Sequence, residues 1–79
     1  MIDLDLSGLK CPLPALRTRK VLRRMRPGER LRVTSTDPLA GIDIPHVVHE
    51  EGDLLLDQAS GEGRQVFTIE RRPHEKGPV

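Results

Sequence analysis

Apolar and polar residues alternate near the start of the chain, in Asp3-Leu4-Asp5-Leu6. A period of two predicts a short, half-buried strand, and Ser7-Gly8 closes it. The period then lengthens. From about Pro12 to Met25, the residues Ala15, Thr18, Val21, Leu22 and Met25 recur at helical spacing, which predicts a helix with that face on the core. Leu13 and Leu16 lie off this face and project outward with Arg17, Lys20 and Arg24. Pro27-Gly28 stops the helix and turns the chain. Alternation resumes in Leu31-Arg32-Val33-Thr34-Ser35, a second strand with Leu31 and Val33 inward. Asp37-Pro38 reads as an N-cap followed by a first-turn proline, opening a helix from Pro38 to Glu51. Gly41 and Pro45 weaken that helix; Pro45 should kink it or delay its regular part until after Asp43. Gly52 terminates it. Leu54 to Ala59 reads as a buried strand, Ser60-Gly61-Glu62-Gly63 as a hairpin turn, and Gln65 to Arg71 as the returning strand. In that last strand either Val66 with Thr68 or Phe67 with Ile69 faces the core.

The order β-α-β-α-β-β predicts an α+β, two-layer α/β sandwich: one mixed four-stranded sheet with two helices on one face. The βαβ crossovers should be right-handed. With 79 residues there is room for one domain, expected over residues 1–72, and Pro73 to Val79, which has no apolar pattern, is expected to be a disordered tail. Phe67 is the only aromatic residue, so the core must be aliphatic.

Net charge is close to neutral, at +1, but it is unevenly spread. Lys10, Arg17, Arg19, Lys20, Arg23, Arg24, Arg26, Arg30 and Arg32 are offset locally by Glu29 alone, whereas Asp37 to Glu62 contains acids and no Lys or Arg. This predicts a basic helix face, suited to an anionic partner or simply to solvent, and an acidic region elsewhere.

One residue carries nucleophilic chemistry. Cys11 is the only cysteine, and it sits at the expected mouth of the first helix, beside Lys10 and between Gly8 and the prolines Pro12 and Pro14. Helix N-termini carry partial positive charge and unpaired N–H groups. A sulfur there is expected to be exposed and to have a lowered pKa. Pro12 fits the first helical position and Pro14 the first turn. Neither has an N–H, which leaves that of Leu13 to face the sulfur. The plainer alternative is a small, half-buried residue beside a rigid turn. A lone cysteine excludes an intramolecular disulfide and a multi-cysteine metal site. His46 and His49, three apart, are two ligands at most, and His74 is remote; no metal and no cofactor is expected. No histidine is placed by a motif to act as base to Cys11, which argues against a cysteine hydrolase. No stretch is long enough to span a membrane and no signal-peptide pattern opens the chain, so a reducing cytoplasm is the expected location.

The segment Gly8-Leu9-Lys10-Cys11-Pro12-Leu13-Pro14 resembles the Cys-Pro-x-Pro signature of the TusA/SirA family of small sulfur carriers. The resemblance continues through Arg19-Lys20, Met25-Arg26-Pro27-Gly28-Glu29, Thr36-Asp37-Pro38 and Asp43-Ile44-Pro45, and covers roughly Leu4 to Arg72. It implies the same two-layer fold and a sulfurtransferase-class carrier rather than a free-standing turnover enzyme. Cys11 would hold sulfane sulfur as a persulfide, in a loop shaped by Gly8, Pro12 and Pro14. The donor would be a cysteine desulfurase or another source of sulfane sulfur. The acceptor would be a downstream thiol protein, in 2-thiouridine formation on tRNA, molybdenum-cofactor synthesis or other sulfur metabolism. Lys10, Leu13, Leu16, Arg17, Arg19, Lys20 and Arg24 would form the docking face; Lys20 points outward, while Arg19 lies nearer the core edge. Asp37 and Asp43 match caps or polar contacts of the second helix. The chain departs from many relatives at Ile42, where they carry an arginine, and at Val47 and Val48, where they carry an aromatic and a cysteine. These positions are expected to bear on a partner surface. Two other readings stand beside the carrier: a thiol-based redox sensor, and a basic-helix module binding RNA or protein. Direct nucleic-acid binding is disfavoured by the lack of aromatics for stacking.

Overall fold

The computed structural model describes residues 1–73; the expected tail from His74 onward lies outside the described residues. The elements are β1 (Ile2–Leu6), α1 (Leu13–Leu22), β2 (Arg30–Ser35), α2 (Ala40–Glu50), β3 (Leu54–Gly61) and β4 (Arg64–Glu70). The predicted order holds, and the sheet is a single mixed one with strand order β1-β2-β4-β3. β1 runs parallel to β2 with Leu4 opposite Val33, and β2 and β3 both run antiparallel to β4.

Register decides which face is apolar. Leu31 pairs with Ile69 and Val33 with Phe67, and all four are fully buried, which resolves the alternative left open for the last strand in favour of Phe67 and Ile69. Leu22 and Met25 from the first helix and its C-terminal turn, and Ala40, Ile44, Val47 and Val48 from α2, complete one core with Leu6. Ala15 and Val21 pack against it half-buried, so the predicted core face of α1 is the observed one. The opposite sheet face is polar, with Arg32 of β2 paired to Asp3 of β1 at 2.7 Å and Arg30 to Glu70 of β4 at 3.3 Å.

Element boundaries differ from expectation for local reasons. Pro12 is the N-cap residue rather than the first helical one, the Cys11–Pro12 peptide is cis, and α1 ends at Leu22 because Arg23 to Met25 already turn out of it. Asp37 does not cap α2 directly. Its Oδ1 accepts the Leu39 N–H at 3.2 Å, forming a turn, and the helix begins at Ala40. Pro45 does not delay α2 until after Asp43: the helix runs through Pro45 from Ala40 to Glu50. β3 is an edge strand, not a buried one. Only Leu55 touches the core, while Leu54 and Leu56 are exposed: β3 has a neighbouring strand on one side alone, and a register shift between Leu55 and Asp57 breaks the alternation. The hairpin turn is tighter than the four residues expected. β3 extends to Gly61, and Glu62 and Gly63, at φ 52° and 75°, make the reversal.

Candidate functional site

Cys11 lies in the loop between β1 and α1, exposed as expected. Gly8 sets the loop up. It adopts φ +86°, a conformation that suits glycine, and its N–H donates to Thr36 Oγ1 at 2.8 Å, tying the loop to the end of β2. The Cys11 N–H donates to Asp37 Oδ2 at 2.8 Å. Asp37 is itself buried and held in place: its own N–H donates to Ser35 Oγ at 3.1 Å, and Gln65 Nε2 donates to its carbonyl at 3.3 Å. The sulfur points toward α2, where its S–H donates to Asp43 Oδ2 at 3.2 Å. Two aspartates that the sequence assigns to the second helix thus converge on the cysteine from across the fold. Cys11 and Asp43 are 32 positions apart, and the packing of α1 against α2, with the bonds from Gly8 to Thr36 and from Cys11 to Asp37, brings them together.

The electrostatics reverse the expectation for the thiol. Its pKa is raised, first by the hydrogen bond to Asp43, then by partial desolvation and by the charges of Asp43 and Asp37. The reason lies partly in the helix end. Leu13 N–H does not face the sulfur; it donates to the Lys10 carbonyl at 2.9 Å. Leu16 N–H is taken by the Pro12 carbonyl, and Pro14 has no N–H to offer. The positive end of α1 is therefore largely spent, and two full carboxylate charges outweigh what remains of it.

A sulfur and two carboxylate oxygens from Cys11, Asp37 and Asp43 lie within 4.8 Å of one another, a spacing a cation would accept. Both Asp37 oxygens already accept backbone N–H groups and Asp43 accepts the thiol, so hydrogen bonding accounts for the cluster without an ion.

The remaining predicted site residues divide into two groups. Leu13 and Leu16 are exposed on the outer face of α1, at 42% and 51%, with Arg17, Lys20 and Arg24 also exposed. Lys10, Arg17, Lys20 and Arg24 form no ion pair among the described residues. Pro12 is exposed and Pro14 fully buried, anchoring the first turn. Arg19 is different: it is half-buried and bound to α2, 2.6 Å from Glu50 and 3.6 Å from Glu51. Arg23 adds a bond to Glu51 at 2.8 Å, so the acidic end of α2 neutralises one side of the basic helix. His46 and His49 are exposed, and His46 lies 3.6 Å from Glu50.

Two departures noted in the sequence turn out to be internal. Val47 and Val48 are buried in the core, so they do not shape a partner surface as expected; Ile42 is exposed, at 71%. Leu39, half-exposed, lies on the turn before α2 and not within the helix expected from Pro38. With Ile42 it puts exposed apolar surface just ahead of Asp43 in sequence.

The family model described as "Sulfurtransferase TusA" matches residues 2–71. The chain belongs to this family. TusA of Allochromatium vinosum, named as a sulfur carrier protein, is 38% identical over 69 residues, covering 87% of this chain and 91% of that one. A Neisseria meningitidis serogroup A protein, provisionally named a sulfur carrier, is 44% identical over 66 residues, covering 84% and 86%. An Aquifex aeolicus protein with the same provisional name is 37% identical over 95% of this chain, which spans only 38% of its length. The crystal structure of a SirA-like protein from Desulfitobacterium hafniense superimposes with a TM-score of 0.79 over 92% of this chain and all of that one; at 21% identity it supports the fold. The protein is a TusA-family sulfur carrier.

Proposed function

We propose that Cys11 accepts sulfane sulfur as a persulfide from a donor such as a cysteine desulfurase and passes it to a downstream thiol acceptor. The observation that carries this reading is the exposed sulfur of the chain's only cysteine, set in the family's Cys-Pro-x-Pro segment beside the unpaired basic and apolar face of α1. With no second thiol in the chain, a loaded Cys11 cannot discharge into an internal disulfide. Each transfer follows disulfide-exchange chemistry, in which a thiolate attacks the outer sulfur of the persulfide. Lys10, Leu13, Leu16, Arg17, Lys20 and Arg24 form the docking face. Arg19 supports it from behind through Glu50 and Glu51.

The raised thiol pKa weighs against a peroxide sensor, which relies on a standing thiolate population. The single aromatic residue, Phe67, is fully buried, which leaves no stacking platform for single-stranded RNA. The test is intact-mass spectrometry after incubation with a cysteine desulfurase, its pyridoxal cofactor and cysteine. Wild type should gain the mass of one sulfur atom, lose it to reductant, and fail to gain it as Cys11→Ser. Equal loading of the mutant would remove Cys11 from the role.

A further inference from the structure

Asp43 has one side-chain hydrogen bond among the described residues, and it is with the Cys11 sulfur. The carboxylate caps no N–H of α2, although it lies in that helix's first turn. Its backbone is fixed: the Asp43 N–H donates to the Leu39 carbonyl at 3.0 Å, and the next residue, Ile44, is fully buried. No basic side chain among the described residues forms an ion pair with Asp43 or Asp37, even though nine Lys and Arg residues lie between Lys10 and Arg32. Those guanidiniums that reach α2 are taken by Glu50 and Glu51, at its other end. The charges acting on the sulfur are thus Asp43 from α2 and Asp37 from the turn before it. Lys10, adjacent in sequence, pairs with neither.

We propose that Asp43 is a positioning residue for Cys11, holding the unloaded sulfur as a hydrogen-bonded thiol so that the carrier by itself is a slow nucleophile. This rests on the sulfur-carrier reading. In loading, the Sγ proton leaves to solvent and the thiolate attacks the outer sulfur of the donor persulfide. The Sγ–S bond forms, the donor S–S bond breaks, and the donor departs as a thiolate that takes up a proton; no net oxidation or reduction occurs. Asp43 acts before this attack, by setting how much thiolate exists. In release, the acceptor thiolate attacks the outer sulfur and Cys11 leaves as a thiolate. Once reprotonated it is recaptured by Asp43, which suppresses the return attack.

The test is the pH dependence of Cys11 alkylation by iodoacetamide in the full chain, for wild type, Asp43→Asn, Asp43→Ser and Asp43→Glu, with a thermal melt for each. The two neutral variants should titrate at lower pH than wild type and react several-fold faster near neutrality. Asp43→Glu, which keeps the charge, should stay close to wild type. If the folded neutral variants titrate with wild type, the proposal is overturned, whatever happens to their stability; a purely structural Asp43 would move the melt and not the titration. Sulfur loading is scored separately on the same samples. A titration difference in a protein that never loads would sink the carrier reading and leave the role of Asp43 at the thiol intact.

Discussion

The Arg71 guanidinium lies 2.8 Å from the Asp53 carboxylate, and the Asp53 side chain has no exposed surface. Asp53 immediately precedes β3, just after the α2 turn, and Arg71 follows β4, so the pair joins the two ends of the β3–β4 hairpin. Asp53 also accepts the Arg72 N–H at 3.0 Å. Removing one partner of a buried pair strands the other charge. Asp53→Ala should therefore cost about 3 kcal/mol or more in urea denaturation. In so small a domain that is a large share of total stability. A loss under about 1 kcal/mol would mean that water reaches Arg71 and screens the pair.

The α1–α2 contact should weaken in acid. The Arg23 hydrogen bond, aided by the charges of Arg23, Arg19 and Arg71, holds the Glu51 carboxyl below its ordinary value of 4.5 despite partial desolvation. A depressed carboxyl stabilises the fold above its unfolded pKa, and that contribution is lost as pH falls through the folded value. Stability should hold from neutrality down to about pH 4.5 and then decline, with a shallower decline in Glu51→Gln. Parallel acid profiles for the two proteins would show that Glu51 does not carry the effect.

Glu62 occupies a left-handed conformation at φ 52° in a two-residue hairpin whose second residue, Gly63, also has positive φ. That pairing favours asparagine followed by glycine. Glu62→Asn should raise stability by roughly 0.5–1 kcal/mol, read as an upward shift of the melting midpoint, with no change at Cys11. A lower midpoint would mean that the Glu62 side chain has a stabilising role not evident from the turn geometry.

The fold was legible because its signals are local. The Leu31–Val33 alternation, the Thr18–Leu22–Met25 spacing and the Pro27-Gly28 and Gly52 breaks each fix an element without reference to the rest. Leu54 to Ala59 misled for the complementary reason. An apolar run reads as buried, yet edge position is a property of strand order, which no short segment encodes. The position of Cys11 was equally clear, but its electrostatics were not. Sequence neighbours Lys10 and the helix end suggest an activated thiol, while Asp37 and Asp43, distant in the chain, decide the outcome. The same holds for Arg19, a basic residue on a basic helix until packing places Glu50 2.6 Å away.

The outer face of α1 provides a direct test of docking. Arg17 and Lys20 are exposed and lack ion-pair partners among the described residues, so reversing their charge should disturb neither the core nor the Arg19–Glu50 and Arg23–Glu51 bonds. They stand beside Leu13 and Leu16, on the helix that follows the reactive loop. If an acidic partner surface is steered there, the double variant Arg17→Glu/Lys20→Glu should slow sulfur transfer from the donor by about tenfold at low ionic strength. Because screening weakens steering, the gap between variant and wild type should narrow as salt is added. Iodoacetamide alkylation of Cys11 should be unchanged, since the charges acting on the sulfur come from Asp43 and Asp37. Equal transfer rates at low salt would move the docking surface off this face and toward the exposed Leu39 and Ile42 around the start of α2. A loss of transfer that salt does not relieve would instead mean that Arg17 and Lys20 touch the partner directly, since screening weakens steering at a distance far more than close contact.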